Sequence, residues 1–201
     1  MKKLFVIGDS ISMHYGPYLK EFLAGKMEYS RKGENVEPGD LDKATKVNGG
    51  DSSNVLAYLK EFTELEYDVL LLNCGLHDIK TTTGRQIEPE AYERNLREIL
   101  EFVKKPVIWV RTTPVDDARH QKYSPKFSRY DKDVVLYNEI ADKVMAEYGV
   151  PEIDLYHFTK ALMRDGEVYG EKDHVHFCDQ VRKLQAAYIA GAVMEIVIGD
   201  R

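Results

Sequence analysis

The sequence has few cysteines and no long apolar run. Its two cysteines, Cys74 and Cys178, are too few for a disulfide framework and lack the C-x-x-C spacing of a zinc or redox site. No apolar segment approaches the ~20 residues that cross a bilayer, and only seven residues precede Gly8, too few for a secretory signal. We therefore expect a cytoplasmic protein with buried thiols and no membrane partner.

An excess of positive charge is also missing. The chain of 201 residues carries 28 Lys and Arg against 34 Asp and Glu, a formal net charge of −6, with its basic residues scattered. Such a chain offers no basic face to neutralise a phosphate backbone, so we expect no nucleic-acid partner. With 43% hydrophobic residues it can bury one core, and we expect a single domain over residues 1–201. The sequence gives no indication of oligomeric state.

Short apolar runs alternate with segments whose apolar residues recur every three or four positions. The runs predict strands at Lys3–Gly8, Val69–Cys74, Pro106–Arg111 and Ile153–Tyr156, with a weaker strand at Ala44–Asn48. The periodic segments predict helices at Pro17–Leu23, Ser53–Phe62, Pro89–Val103, Val134–Tyr148 and Asp179–Ile198. This alternation favours a three-layer α/β/α sandwich with a five-stranded parallel sheet, of the flavodoxin-like type.

Two segments look irregular and are candidate substrate-facing loops. Met27–Lys43 is rich in charge with interspersed glycine and proline, and Thr112–Lys132 contains two prolines and several basic side chains. The basic residues in and beside the second segment are Arg111, Arg119, His120, Lys122 and Arg129. They either contact an anionic or polyhydroxylated substrate or are simply solvated, and the sequence leaves both interpretations open.

The first predicted strand runs directly into a Gly-Asp-Ser turn. Ser10 stands at the entrance to a helix, where a serine is either a helix N-cap or an exposed nucleophile. A nucleophilic serine needs a base, and His176 can supply one, with Asp173 placed three residues away to orient it. His174 is a competing candidate for the base.

Four short blocks, taken together, resemble those of SGNH/GDSL hydrolases, the GDSL-like lipases and acylhydrolases. They are Gly8–Ile11 (GDSI), Gly49–Ser52 (GGDS), Gly75–Asp78 (GLHD) and Asp173–His176 (DHVH). Each block alone is a weak indication, but all four occur in the family's order and span nearly the whole chain.

The resemblance implies a role for each matching residue. Ser10 corresponds to the nucleophile, and Asp173 and His176 to the other members of a catalytic triad. The backbone N–H groups of Ser10 and Gly50 correspond to oxyanion donors. The family places an asparagine where this chain has His77, which we interpret as a substituted oxyanion donor, the alternative being a structural or substrate-contacting histidine.

The chemistry implied is that of a carboxylic ester hydrolase acting through an acyl-enzyme. We expect a small-molecule ester as substrate, with acetyl esters of carbohydrates preferred because the polar loops lack a long apolar stretch. No metal or organic cofactor is required. The alternatives are a lysophospholipase or thioesterase, a non-catalytic carbohydrate-binding protein, and a flavodoxin-like nucleotide or receiver domain.

Overall fold

The computed structural model describes residues 1–33, 39–61, 66–124, 126–164 and 167–199. Its strands are β1 (Lys2–Ile7), β2 (Met27–Arg31), β3 (Val69–Leu72), β4 (Val107–Val110) and β5 (Glu152–Ile153). Its helices are α1 (Ser10–Leu23), α2 (Ser52–Glu61), α3 (Pro89–Phe102), α4 (Asp117–Tyr123), α5 (Asp131–Tyr148), α6 (Leu155–Leu162) and α7 (Asp179–Ile198).

The five strands form one parallel sheet in the order β2-β1-β3-β4-β5. Every residue of β3 and β4 is buried, as expected for central strands covered on both faces. The chain crosses from β2 over β1 to reach β3, so the order of the strands reverses between β1 and β3. Ligands of open α/β sheets bind beyond the carboxyl ends of the strands at such a point.

Helices cover both faces of the sheet. On one face α1 packs against α7 and α7 against α6, while on the other α3 packs against α2 and α5. Spacings of four and three residues bring Tyr92, Leu96 and Ile99 of α3 onto one buried face. The predicted three-layer sandwich with a five-stranded parallel sheet is confirmed.

The prediction of an irregular segment at Met27–Lys43 was wrong at its start. Residues 27–31 form β2, which pairs in parallel with β1 from Lys2↔Met27 to Val6↔Arg31. As an edge strand, β2 buries only Met27 fully, so its sequence lacks the apolar run by which the central strands were found. Residues 34–38 of the same segment lie outside the described residues.

Other boundaries also differ from the predictions. Residues 44–48 form an irregular segment with a bend at residues 46–47 instead of a strand, and the last strand ends at Ile153, with α6 following at once. Asp154 caps α6 by accepting a hydrogen bond from His157 N, which ends the strand that the sequence extended to Tyr156. The segment Thr112–Lys132 contains α4 and the start of α5. Helix α1 begins at Ser10 instead of Pro17.

The structure also bears on the expectations that the chain has no membrane span and that its thiols are buried. Within the described ranges, no helix combines the length and apolar character needed to cross a membrane. Cys74 is buried, Cys178 is partly buried, and both thiols are free.

Candidate active site

Ser10 lies at the first position of α1, directly beyond the carboxyl end of β1. The helix is capped by Asp9, whose carboxylate accepts a hydrogen bond of 2.9 Å from Ile11 N. Because Asp9 performs the capping, the Ser10 hydroxyl is free for another partner. The Ser10 N–H, at the helix N-terminus, donates to no acceptor in the described part of the chain.

The Ser10 hydroxyl meets the imidazole of His176. Ser10 Oγ and His176 Nε2 lie 2.8 Å apart, although the two residues are separated by 166 positions in the chain. His176 Nδ1 lies 2.9 Å from Asp173 Oδ2 and 3.0 Å from Oδ1. The three side chains therefore form a continuous Ser-His-Asp arrangement at the switch point of the sheet, where the strand order reverses between β1 and β3.

The loop between α6 and α7 fixes the carboxylate of this arrangement. Asp173 Oδ1 also accepts backbone hydrogen bonds from Val175 N at 2.9 Å and His176 N at 2.8 Å, which folds the loop back on itself. Burial raises the pKa of Asp173, but the hydrogen bond and charge of His176 outweigh it and hold that pKa below its usual range. An ionised Asp173 can orient the imidazole and stabilise its protonated form.

His174, the competing candidate, faces another residue. Its Nε2 lies 3.3 Å from Asp42 Oδ2, and its ring centroid lies 5.8 Å from that of His176. The structure thus brings His176, and not His174, to Ser10.

Gly50 adopts a conformation that only glycine tolerates well. Its φ is +73°, and a Cβ atom added there would lie 2.5 Å from Ala44 Cβ. Its N–H donates to Asn48 Oδ1 at 2.9 Å. To act on an oxyanion, this N–H must donate to Asn48 Oδ1 and the substrate oxygen at once, or leave Asn48 Oδ1 and donate to the substrate oxygen alone.

His77 follows β3 on the opposite side of the switch point from Ser10. It is 3% exposed, and its Nε2 atom is buried without a hydrogen-bond partner in the described ranges. Burial, reinforced by the positive charges of Arg129 and Lys80, holds the pKa of His77 well below its usual range. A neutral imidazole remains, able to offer one N–H to a developing negative charge.

Asp78, next to His77, ties two of the sequence blocks together. Its Oδ1 accepts a hydrogen bond of 2.9 Å from Ser52 N at the start of α2, while Oδ2 has no partner in the part of the chain that the structure describes. Burial raises the pKa of Asp78 to about 7. The preceding Gly75 has a φ of +143°, and a Cβ there would overlap Thr112 Oγ1.

A family comparison bears directly on this geometry. The model of the GDSL-like lipase/acylhydrolase family matches residues 6–182, which include Ser10, Gly50, His77, Asp173 and His176. The chain belongs to the GDSL-like lipase/acylhydrolase family.

Solved structures share the fold of this GDSL-family chain. The lipase/acylhydrolase from Enterococcus faecalis superposes with a TM-score of 0.75 at 21% identity, covering 96% of this chain and 95% of that one. The acetyl xylan esterase AlAXEase gives 0.70 at 18%, covering 95% and 99%. The M. smegmatis aryl esterase gives 0.66 at 16%, covering 98% and 100%. No curated protein matches the chain by sequence.

Most basic residues of the predicted substrate loop are engaged in structural contacts. Arg119 Nε donates to the backbone carbonyl of Asp173 at 2.6 Å and so supports the loop that carries Asp173 and His176. Arg111 pairs with Asp142 and Asp154 at 3.1 and 3.0 Å. Lys122 lies over the ring of Tyr123. Arg111 and Arg119 are therefore bound to other protein groups. These contacts assign them neither of the two predicted roles, exposure to solvent or contact with substrate.

Asp42 was missed by the sequence interpretation, although it connects three loops of the site. Its carboxylate lies 3.3 Å from His174 Nε2 and 3.5 Å from Nη2 of the fully buried Arg129, and its carbonyl accepts from Lys80 Nζ. Arg129 Nε in turn donates to Leu76 O at 2.7 Å, one residue before His77. Asp42 falls in the segment predicted to face substrate, which is the only indication that the sequence offers.

Among the described residues, no group of three or more His, Cys, Asp and Glu side chains has the geometry to hold a metal ion.

Proposed function

We propose that this protein is a serine ester hydrolase that cleaves small acyl esters through an acyl-enzyme on Ser10. The observation that carries the proposal is the continuous contact from Ser10 Oγ to His176 Nε2 at 2.8 Å and from His176 Nδ1 to Asp173 at 2.9 Å. A serine with this pair of partners is an activated nucleophile.

The reaction begins when Ser10 Oγ attacks the ester carbonyl and His176 Nε2 takes the hydroxyl proton. The resulting imidazolium is stabilised by the ionised Asp173. His176 then gives the proton to the alcohol oxygen as the C–O bond breaks, leaving the acyl group on Ser10. Water, deprotonated by the same imidazole, attacks the acyl-enzyme. The bond from the acyl carbon to Ser10 Oγ then breaks, His176 returns the proton to Ser10 Oγ, and the acid is released.

Three groups can donate hydrogen bonds to the negative charge that develops on the carbonyl oxygen. The Ser10 N–H is without an acceptor in the described ranges, the Gly50 N–H lies in the neighbouring turn, and His77 Nε2 is buried and unpartnered. Donors fixed in a dry site are worth ~10²–10³ in turnover each. We assign the oxyanion to these three groups, with His77 in the place where the family has asparagine.

Acetyl esters of carbohydrates are the substrates that we favour. An acetyl xylan esterase and an aryl esterase have the same fold, and the name of the first describes an enzyme that acts on an acetylated carbohydrate. A small acyl group also suits this site, because Ser10 and His176 are only 2% and 3% exposed and leave little room beside the nucleophile.

The decisive experiment measures release of p-nitrophenol from p-nitrophenyl acetate and of acetate from acetylated sugars. We expect turnover by the wild-type protein and loss of it in Ser10→Ala and His176→Ala, with Ser128→Ala as the control serine variant. Covalent labelling by a fluorophosphonate should require Ser10. If Ser10→Ala retained full turnover, the mechanism would be wrong, and absence of both turnover and labelling in the wild type would favour a non-catalytic binding protein.

A further inference from the structure

A small cavity opens beside two of the proposed oxyanion donors. Its volume is about 220 Å³, and His77 and Ala44 are among its lining residues. A Cβ atom on Gly50 would lie 2.5 Å from Ala44 Cβ and 3.2 Å from the side-chain Nδ2 of Asn54, which also lines the cavity. The cavity therefore reaches His77 and lies on the side of Gly50 that faces Ala44 and Asn54.

The charged groups that line the cavity balance one another. Two are the carboxylates of Asp42 and Asp51, and two are the ammonium groups of Lys43 and Lys80. The carboxylates already have partners: Asp42 faces His174 and Arg129, and Asp51 accepts from Ser53 Oγ at 2.6 Å and Asn54 N at 3.0 Å. An anionic ligand would gain little from this lining, and an apolar chain would strip water from charged groups without replacing it.

Uncharged polar groups remain available in the cavity. The Asn54 side-chain amide makes no hydrogen bond in the described part of the chain, and the Gln86 amide makes a single long one, from Nε2 to Asp51 Oδ2 at 3.4 Å. Both residues are exposed, whereas His77 lies at the buried end of the same space with Nε2 unpartnered. Carboxamides offer both donors and acceptors, the combination that matches a hydroxyl group.

We propose that this cavity is the subsite for a hydroxyl-bearing alcohol portion of the ester, with Asn54 and Gln86 as the residues that select it. The proposal rests on the proposed function, because it takes Gly50 and His77 as the groups that hold the ester carbonyl and the cavity as the space next to them. The volume lies below the ~300 Å³ at which sites for drug-sized ligands begin, so the subsite takes one compact polar group.

The test compares two acetate esters whose alcohols are rings of similar size. One is a mono-O-acetylated methyl xyloside, which carries hydroxyl groups, and the other is cyclohexyl acetate, which carries none. We expect the wild-type protein to have the higher kcat/KM for the xyloside ester. Gln86→Leu and Asn54→Leu should each lower the ratio of the two kcat/KM values about fivefold, the effect of one lost hydrogen bond. Gln180→Leu, an exposed glutamine variant outside the cavity, is the matched control and should keep the wild-type ratio.

The outcomes separate this proposal from the proposed function. If the protein hydrolyses both esters but the ratio is the same in wild type, Gln86→Leu and Asn54→Leu, the subsite is rejected while the esterase stands. If neither ester is hydrolysed, the esterase proposal fails. Calorimetry with the deacetylated methyl xyloside then tests whether the cavity binds a hydroxyl-bearing ring. Binding that Gln86→Leu and Asn54→Leu weaken would support the subsite, and no binding by the wild-type protein would overturn it.

Discussion

The imidazole rings of His14 and His176 pack edge to face, with their centroids 4.9 Å apart. His14 projects from α1, one turn after Ser10, so the same helix that positions the serine also supplies a wall for the base. Burial, together with the charge on His176, lowers the pKa of His14 to about 3. His14 is therefore neutral beside His176 and leaves the positive charge of the reaction to that single ring.

This relationship predicts that a permanent charge at position 14 impairs turnover. In His14→Lys, an ammonium group beside His176 disfavours the imidazolium that forms during attack, and at ~5 Å the repulsion is about 3 kcal/mol with an effective dielectric constant near 20. Because Lys can extend toward solvent, we expect a fall in kcat of about tenfold and a shift of the acid limb of the pH profile to lower pH. His14→Gln, which adds no charge, should keep the position of that limb, and an identical limb in the lysine variant would contradict the prediction.

The contacts of Asp42 predict a pH-dependent contribution to stability. Burial raises the pKa of Asp42, but the hydrogen bond of His174 and the charge of Arg129 outweigh it and hold that pKa below its usual range. A depressed pKa in the folded state stabilises the protein above the unfolded pKa near 4, and this stabilisation disappears as the pH falls through the folded value. Asp42→Asn should therefore lower Tm by about 3 °C at pH 7, for a loss of about 1 kcal/mol. The deficit should shrink steadily between pH 5 and pH 3 in thermal melts; a constant deficit would show that the charge of Asp42 is not the cause.

Asp78 predicts the opposite dependence on pH. Burial raises its pKa to about 7, so between pH 4 and pH 7 the carboxyl ionises in the unfolded chain but not in the folded protein. The folded protein therefore loses stability as the pH rises from about 4 to about 7. Asp78→Asn removes this loss, which amounts to as much as about 4 kcal/mol for a shift of about three pKa units. The variant also places an unpaired N–H₂ where Oδ2 has no partner, at a cost that does not vary with pH. In urea denaturation, the free energy of unfolding of the variant minus that of the wild type should rise from pH 4 to pH 7 and stay constant above pH 7. A difference independent of pH would mean that Asp78 is ionised throughout.

The parts of the fold and site that the sequence revealed are those encoded locally. Strands β3 and β4 are buried along their whole length and appear as unbroken apolar runs. Asp173 and His176 are three residues apart, so one turn of backbone brings them together and spacing alone predicts the pair. The Gly-Asp-Ser turn is likewise a local feature, because the strand, cap and helix start are consecutive.

What the sequence could not reveal depends on distant partners. The edge strand β2 is held by pairing with β1, and its own residues alternate too weakly to predict it. Asp42 contacts Arg129 across 87 positions and His174 across 132, and no linear pattern marks a residue whose importance lies in such contacts. A loop rich in basic residues is usually solvated, so its composition does not indicate that Arg129 is buried. In the structure Arg129 is only 1% exposed.

The proposed role of His77 as an oxyanion donor predicts a graded loss of activity. His77→Ala removes the buried Nε2 group, and loss of one oxyanion donor should lower kcat by ~10²–10³ while KM changes little. His77→Asn restores a side-chain N–H₂ and should recover part of this loss, although the shorter side chain places its donor nearer the backbone.

Because burial and the charge of Arg129 hold the pKa of His77 well below its usual range, His77 stays neutral throughout the assay range. The acid limb of the pH profile should therefore stay in place in His77→Asn. A limb that moved would show that His77 titrates with the reaction, and wild-type turnover in His77→Ala would assign the oxyanion to the backbone donors of Ser10 and Gly50 alone.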